Sequence, residues 1–181
     1  FTSSMASEGK STVAANTAVA FARQGKKVLL VDADLRRPTI NATFNIQNPV
    51  GLTNFLTEKN LNINDAIYRT SIKNLYVMPS GPIPPNPSEL IGSKKMSRVV
   101  EALDSAFDLV IYDAPPVLSV TDAQILSTKV DGTILVVREN KTEKVLVKQA
   151  VRLIQHVNGE ILGVVLNDVR GEGSGYYGYY G

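Results

Sequence analysis

Short hydrophobic runs alternate with helical patterns along this 181-residue chain. Lys27-Val28-Leu29-Leu30-Val31-Asp32 is a nearly unbroken apolar run closed by a carboxylate, which predicts a strand buried on both faces of a parallel sheet. Residues 75–79, 109–113, 133–137 and 161–167 repeat the form. Between them, residues 12–24 carry Val13, Ala14, Thr17, Ala18 and Phe21 at helical spacing, with Gly25 where a helix would stop, and residues 144–157 read as a second such helix. Phe1-Thr2-Ser3 reads as the last turn of a strand whose earlier residues are missing, so the expectation is a fragment. Five strands alternating with helices predict an α/β fold, a doubly wound, mostly parallel sheet with helices on both faces. Ligands bind such sheets outside the carboxyl ends of the strands, and here those ends carry Asp32, Asp113 and Asn167.

Composition narrows the class. With 44% hydrophobic and 20% charged residues, the chain suits one globular domain over residues 1–170. Residues 171–181, almost wholly Gly and Tyr, read as a flexible tail. A net charge of +2 supplies no field that would argue for nucleic acid. The absence of cysteine excludes disulfides, thiolate metal sites and sulfur redox chemistry, and fits a cytoplasmic location. No apolar run approaches the ~20 residues that span a bilayer, so membrane attachment is expected only through a partner or a fused segment.

The chemistry begins at Ser4-Met5-Ala6-Ser7-Glu8-Gly9-Lys10-Ser11-Thr12, which follows the phosphate-loop pattern except that Ser4 replaces the first glycine. Backbone N–H groups of Ala6 to Lys10 are expected to wrap phosphate oxygens. Lys10 would bridge the outer phosphates, Ser11 Oγ would ligate Mg²⁺, and Thr12 would sit at the helix start, where the dipole favours anions. Ser7, Glu8, Gly9, Lys10, Ser11, Thr12 and, for the base, Asn167 are therefore the nucleotide-binding candidates. Asn167-Asp168-Val169 lacks the Asn-Lys-x-Asp pattern of guanine sites, so ATP is the expected nucleotide. Ser11, Asp32 and Asp113 are the metal candidates, and Asp32 or Asp34 the candidate base, with Lys10 as the catalytic cation. Arg36 and Arg37 read either as phosphate or subunit contacts or as solvated; His156, the only histidine, reads as structural.

Residues 28–38, ending Asp32-Ala33-Asp34-Leu35-Arg36-Arg37-Pro38, and residues 107–116, ending Asp113-Ala114-Pro115-Pro116, resemble the second and third nucleotide motifs of the bacterial tyrosine kinases that regulate capsule and exopolysaccharide synthesis. Residues 80–90 and the terminal tyrosine cluster are similar to that family as well. The resemblance covers nearly the whole chain and implies a P-loop NTPase of the deviant Walker type that acts as an ATP- and Mg²⁺-dependent protein tyrosine autokinase. Its acceptors would be Tyr176, Tyr177, Tyr179 and Tyr180, phosphorylated in trans by a neighbouring subunit. A tail of ~10 flexible residues spans roughly 17 Å, so geometry alone leaves cis transfer open. The resemblance further implies a membrane activator, separate or fused upstream, a ring-shaped homo-oligomer, a tyrosine phosphatase as partner, and a place at the inner face of the cell membrane. The related division-site and chromosome-partitioning ATPases carry a lysine five residues before the loop lysine; this chain has Met5, which favours the kinase. The family often reads Pro-Gly where this chain has Ala6-Ser7, so a serine must reach backbone angles that glycine reaches at less cost. The rival readings are a nucleotide-switched positioning ATPase without kinase activity and a binding module that has lost catalysis.

Overall fold

The structure is a computed structural model that describes residues 1–47 and 49–169. Among the described residues seven strands form the sheet: β1 (Thr2–Ser3), β2 (Val28–Asp32), β3 (Tyr68–Arg69), β4 (Leu75–Met78), β5 (Leu109–Asp113), β6 (Thr133–Arg138) and β7 (Ile161–Asn167). The five runs expected from the sequence are all strands, and Phe1-Thr2-Ser3 does end in one. The sequence reading missed β3, whose two residues are too few to show a period, and which pairs antiparallel with β4. Every other pairing is parallel. Two ladders, β3-β4-β2-β5 and β1-β6-β7, meet where the Phe1 nitrogen donates to the Tyr112 carbonyl at 2.7 Å and the Ala114 N–H donates to the Phe1 carbonyl at 2.9 Å.

Strand β2 explains its own apolar run. Alternate side chains point to opposite faces, and here Leu29 and Val31 join one buried cluster while Val28 and Leu30 join the other. The first cluster packs under α4 (Pro87–Gly92), α5 (Lys94–Ala106), α6 (Asp122–Ser127) and α7 (Lys144–His156), through residues such as Ile91, Met96, Leu103, Leu126 and Ile154. The second packs under α1 (Lys10–Arg23) and α2 (Ile40–Thr43). A short helix, α3 (Leu52–Thr57), follows α2.

Helix α1 corrects the expected apolar stripe. Ala14, Ala15, Ala18 and Ala22 face the sheet, and Phe21 is left 39% exposed. Four small side chains let the helix lie close to β2 and β5, and that close approach, more than side-chain size, selects the inward face. The helix ends as expected: Gly25, at φ +91°, donates to the Ala22 carbonyl and Lys26 donates to the Phe21 carbonyl, a pair of bonds that closes the last turn. His156 lies exposed in the last turn of α7. Among the described residues no helix is long and apolar enough to cross a membrane.

Candidate functional site

The loop between β1 and α1 lies at the carboxyl edge of the sheet. Helix α1 starts at Lys10, two residues earlier than the periodicity suggested, with Gly9 capping it at φ +90°. A side chain at Gly9 would overlap the Asn167 amide, so the loop packs directly on the end of β7. Ser7 takes a left-handed φ of +64°, the strained angle foreseen for a serine here. Among the described residues, none of the N–H groups from Ala6 to Lys10 finds an acceptor. These donors, four ahead of a 14-residue helix and one on its first residue, form a cradle for an anion.

The loop owes its shape to side chains. Glu8 is buried, accepts the Met5 N–H on Oε2 at 2.9 Å, and accepts the Thr142 hydroxyl on Oε1. Asn167 donates its amide to the Glu8 carbonyl at 3.0 Å, and Arg138, paired with Asp168 at 2.7 Å, reaches the Ser7 carbonyl at 3.5 Å. Asn167, proposed from the sequence for the base, therefore has its amide bound to the loop itself. On the inner side Val117 and Leu118 donate to the carbonyls of Ser3 and Ser4, tying the segment after β5 to the loop. Thr142 carried no signal in the sequence: a threonine in a polar connection has no period and no motif.

Lys10 brings the predicted residues together. Its Nζ lies 3.1 Å from Asp34 Oδ2, 3.0 Å from Asp113 Oδ1 and 3.2 Å from Ser11 Oγ. Burial would lower its pKa, but the charges of Asp113 and Asp34 and their hydrogen bonds outweigh this and raise it. Asp113 Oδ2 is buried and has no hydrogen-bond partner among the described residues. Asp32, fully buried beside Asp113 in the β2–β5 register, accepts the N–H groups of Thr39 and Ile40, each at 2.9 Å on Oδ2. Burial, with the nearby charges of Asp113 and Asp34, pushes its pKa up to about 7 against those two bonds. Asp34 accepts the Arg37 N–H on Oδ1 at 3.0 Å, which leaves Oδ2 for Lys10. Thr12 is exposed on the first turn of α1.

Arg36 is not simply solvated, as one expectation had it, because it forms an ion pair with the buried Asp122 at 2.9 Å. No cluster of three His, Cys, Asp or Glu side chains able to hold a metal occurs among the described residues. Of the Mg²⁺ candidates, Ser11 and Asp113 border the Lys10 ammonium and Asp32 lies beside Asp113 in the strand register, and the unpartnered Asp113 oxygen is the feature that suits a hydrated cation. A cavity of about 430 Å³ opens elsewhere, toward the amino ends of β5 and β6 between Phe1, Val110 and Ile134. It contains none of these groups, and the chemistry, not the volume, locates the site. Tyr176, Tyr177, Tyr179 and Tyr180, expected from the sequence as acceptors, lie outside the described residues.

The chain is similar in sequence and in fold to known proteins. The family described as AAA domain matches residues 7–162. The tyrosine-protein kinase YwqD of Bacillus subtilis is 47% identical over 180 residues, spanning 99% of this chain and 76% of that protein. This chain belongs to the bacterial tyrosine-protein kinases. The kinase domain of the Escherichia coli tyrosine kinase ETK superposes with a TM-score of 0.90 at 32% identity, covering 99% of this chain and 70% of that one. The cell division ATPase MinD of Pyrococcus furiosus superposes with a TM-score of 0.77 at 29% identity, over 91% of this chain and 69% of that one, which identifies the P-loop NTPase fold that the kinases share with the positioning ATPases.

Proposed function

We propose that the protein is an ATP-dependent tyrosine autokinase that moves the γ-phosphoryl group of ATP onto Tyr176, Tyr177, Tyr179 and Tyr180 of a neighbouring subunit's tail. The observation that carries this reading is the convergence of Lys10, Asp34 and Asp113 within 3.1 Å behind a row of unpartnered loop N–H groups. The N–H groups of Ala6 to Lys10 bind the phosphate oxygens, and Lys10 follows the charge of the outer phosphates. A tyrosine hydroxyl, whose pKa is ordinarily near ~10, needs a base at neutral pH. Asp34 is the better candidate: drawing Lys10 toward the phosphates frees its Oδ2, whereas both oxygens of Asp32 already accept backbone N–H groups. The proton of the phenol passes to the carboxylate, the new P–O bond forms to the phenolic oxygen, and ADP leaves with the electron pair of the broken bond. Ser11, Asp32 and Asp113 would hold a Mg²⁺ ion, which when bound neutralises charge on the phosphates.

The kinase is proposed to regulate capsular or exopolysaccharide synthesis at the inner face of the membrane, with a membrane activator, a ring-shaped homo-oligomer and an opposing tyrosine phosphatase. Support for these comes from the motifs in residues 28–38, 80–90 and 107–116 and from family membership. Incubation of the full-length protein with labelled ATP and Mg²⁺, followed by phosphotyrosine mapping, tests the activity. Label is expected on the tail, at an initial rate per molecule that rises with protein concentration and is lost in Lys10→Met. Release of phosphate without tyrosine label would favour a positioning ATPase, and a concentration-independent rate in a proven monomer would exclude transfer in trans.

A further inference from the structure

Arg36, Ser88 and Asp122 come from three segments at the carboxyl edge of the sheet, one following β2, one at the start of α4 and one at the start of α6. Asp122 is 1% exposed. Arg36 Nε donates to its Oδ2 at 2.9 Å, Arg36 Nη2 donates to its Oδ1 at 3.0 Å, and Ser88 Oγ donates to the same Oδ1 at 2.6 Å. The Arg36 Nη2 group also donates to Ser88 Oγ at 3.0 Å. Burial opposes the charge on Asp122, but the bonds from Arg36 and Ser88 outweigh it and hold the carboxyl below its usual range.

An ion pair of this kind, its carboxylate buried and its guanidinium exposed, adds little net stability, so stability is a weak reason for its presence. Orientation is a stronger one, because two parallel bonds from a planar guanidinium fix direction as well as distance. Arg36 lies two residues beyond Asp34, whose Oδ1 accepts the Arg37 N–H and whose Oδ2 faces Lys10. Residues 34–37 are therefore held on one side by Lys10 and on the other by Asp122.

We infer that Asp122, acting through Arg36, is a positioning residue that aims the Asp34 carboxylate at the incoming tyrosine hydroxyl, with Ser88 fixing the orientation of Asp122. The inference rests on Asp34 being the base of the proposed kinase reaction. Misplacement of a catalytic group by about 1 Å costs up to ~100-fold in rate. In the full-length kinase, Asp122→Ala is thus expected to lower kcat for tail phosphorylation about 10- to 100-fold, while the dissociation constant for Mg·ATP stays within about threefold, since the phosphate loop is untouched. Arg36→Ala should give the same loss, and the double variant Arg36→Ala/Asp122→Ala no further loss, the non-additive signature of residues acting as a unit.

Thermal melts of each variant, with kinetics measured well below its Tm, separate this from simple unfolding. If Asp122→Ala fails to fold, the exposed Arg36→Ala carries the test alone. A kcat within about threefold of wild type in folded Arg36→Ala or Asp122→Ala overturns the inference, as does a double variant whose loss is the product of the single losses. Asp34→Asn distinguishes the two levels of failure. Retained transfer in Asp34→Asn removes the base and the inference with it, whereas lost transfer there alongside normal Asp122→Ala and Arg36→Ala kinetics removes only the positioning role.

Discussion

Replacing Asp32 with Asn probes the electrostatics of the nucleotide-free site. Burial is the largest cause that raises the Asp32 pKa from 3.8 to about 7. Between those two values the native protein holds a proton that the unfolded chain has released. The contribution of this group to stability is therefore fully present at low pH and is lost as pH rises through about 7. Well above pH 7, the interval converts to a cost of roughly 4 kcal/mol for the buried carboxylate. Asparagine keeps one oxygen for the N–H groups of Thr39 and Ile40 but loses the acceptor for the Asp34 N–H at 3.3 Å, a penalty of about 1–2 kcal/mol. Asp32→Asn is thus expected to stabilise the nucleotide-free protein by about 2 kcal/mol at pH 8, roughly 4–8 °C in Tm for a domain of this size. The two proteins are about equally stable near pH 5, and nearer pH 4 the order reverses, because wild-type Asp32 is then neutral in the native protein, keeps all its bonds and has lost little to ionisation of the unfolded chain. Circular dichroism melts of both proteins from pH 4 to 8, in chelator and without nucleotide, measure this directly. Parallel Tm–pH curves for the two proteins would refute the argument, and tyrosine phosphorylation should be lost in the variant at every pH.

Two further substitutions test the phosphate loop. Ser7→Gly relieves a left-handed serine at φ +64°, a strain of about 1–2 kcal/mol that the added freedom of glycine partly offsets. A gain of about 0.5–1 kcal/mol in thermal melts is expected, and a loss would mean that the serine side chain holds the loop. Thr142→Val removes the hydroxyl that binds Glu8 and leaves that buried carboxylate with the Met5 N–H alone. We expect a cost of about 1–2 kcal/mol and a several-fold weaker Mg·ATP dissociation constant by calorimetry; unchanged affinity would show that the loop keeps its shape without Glu8.

The fold was legible because its strands are buried on both faces. A run such as Val28-Leu29-Leu30-Val31 admits few other readings, whereas β3, with two residues, left no pattern to read. Residues of the site that lie in contiguous motifs were legible for a similar reason: Lys10, Asp34 and Asp113 each stand at a fixed offset from a glycine-rich turn or a strand end, and the structure brings them to one point. On α1 the spacing pattern counted Phe21 with Ala14 and Ala18, while close helix–sheet packing turns the alanines inward and leaves Phe21 half-exposed. Thr142, Ser88 and Asp122 were invisible for another reason. Each acts on a residue at least 34 positions away in the chain, and no local spacing encodes such a pairing.

The two charged groups at the centre of the site divide its response to pH and to ligand. Lys10 has a raised pKa, so it stays protonated through the neutral range and its charge is a constant of the site. A nucleotide must compete for it with Asp34 and Asp113, which already lie 3.1 and 3.0 Å from Nζ. That competition favours ligands that bring several negative charges and also satisfy the free N–H groups of the loop, a condition a triphosphate meets better than a single carboxylate or phosphate. Asp32, by contrast, changes its charge near neutrality. Asp32 therefore gives the nucleotide-free site a pH dependence near neutrality, at the strand end behind the loop, and the phosphate-facing cation contributes none.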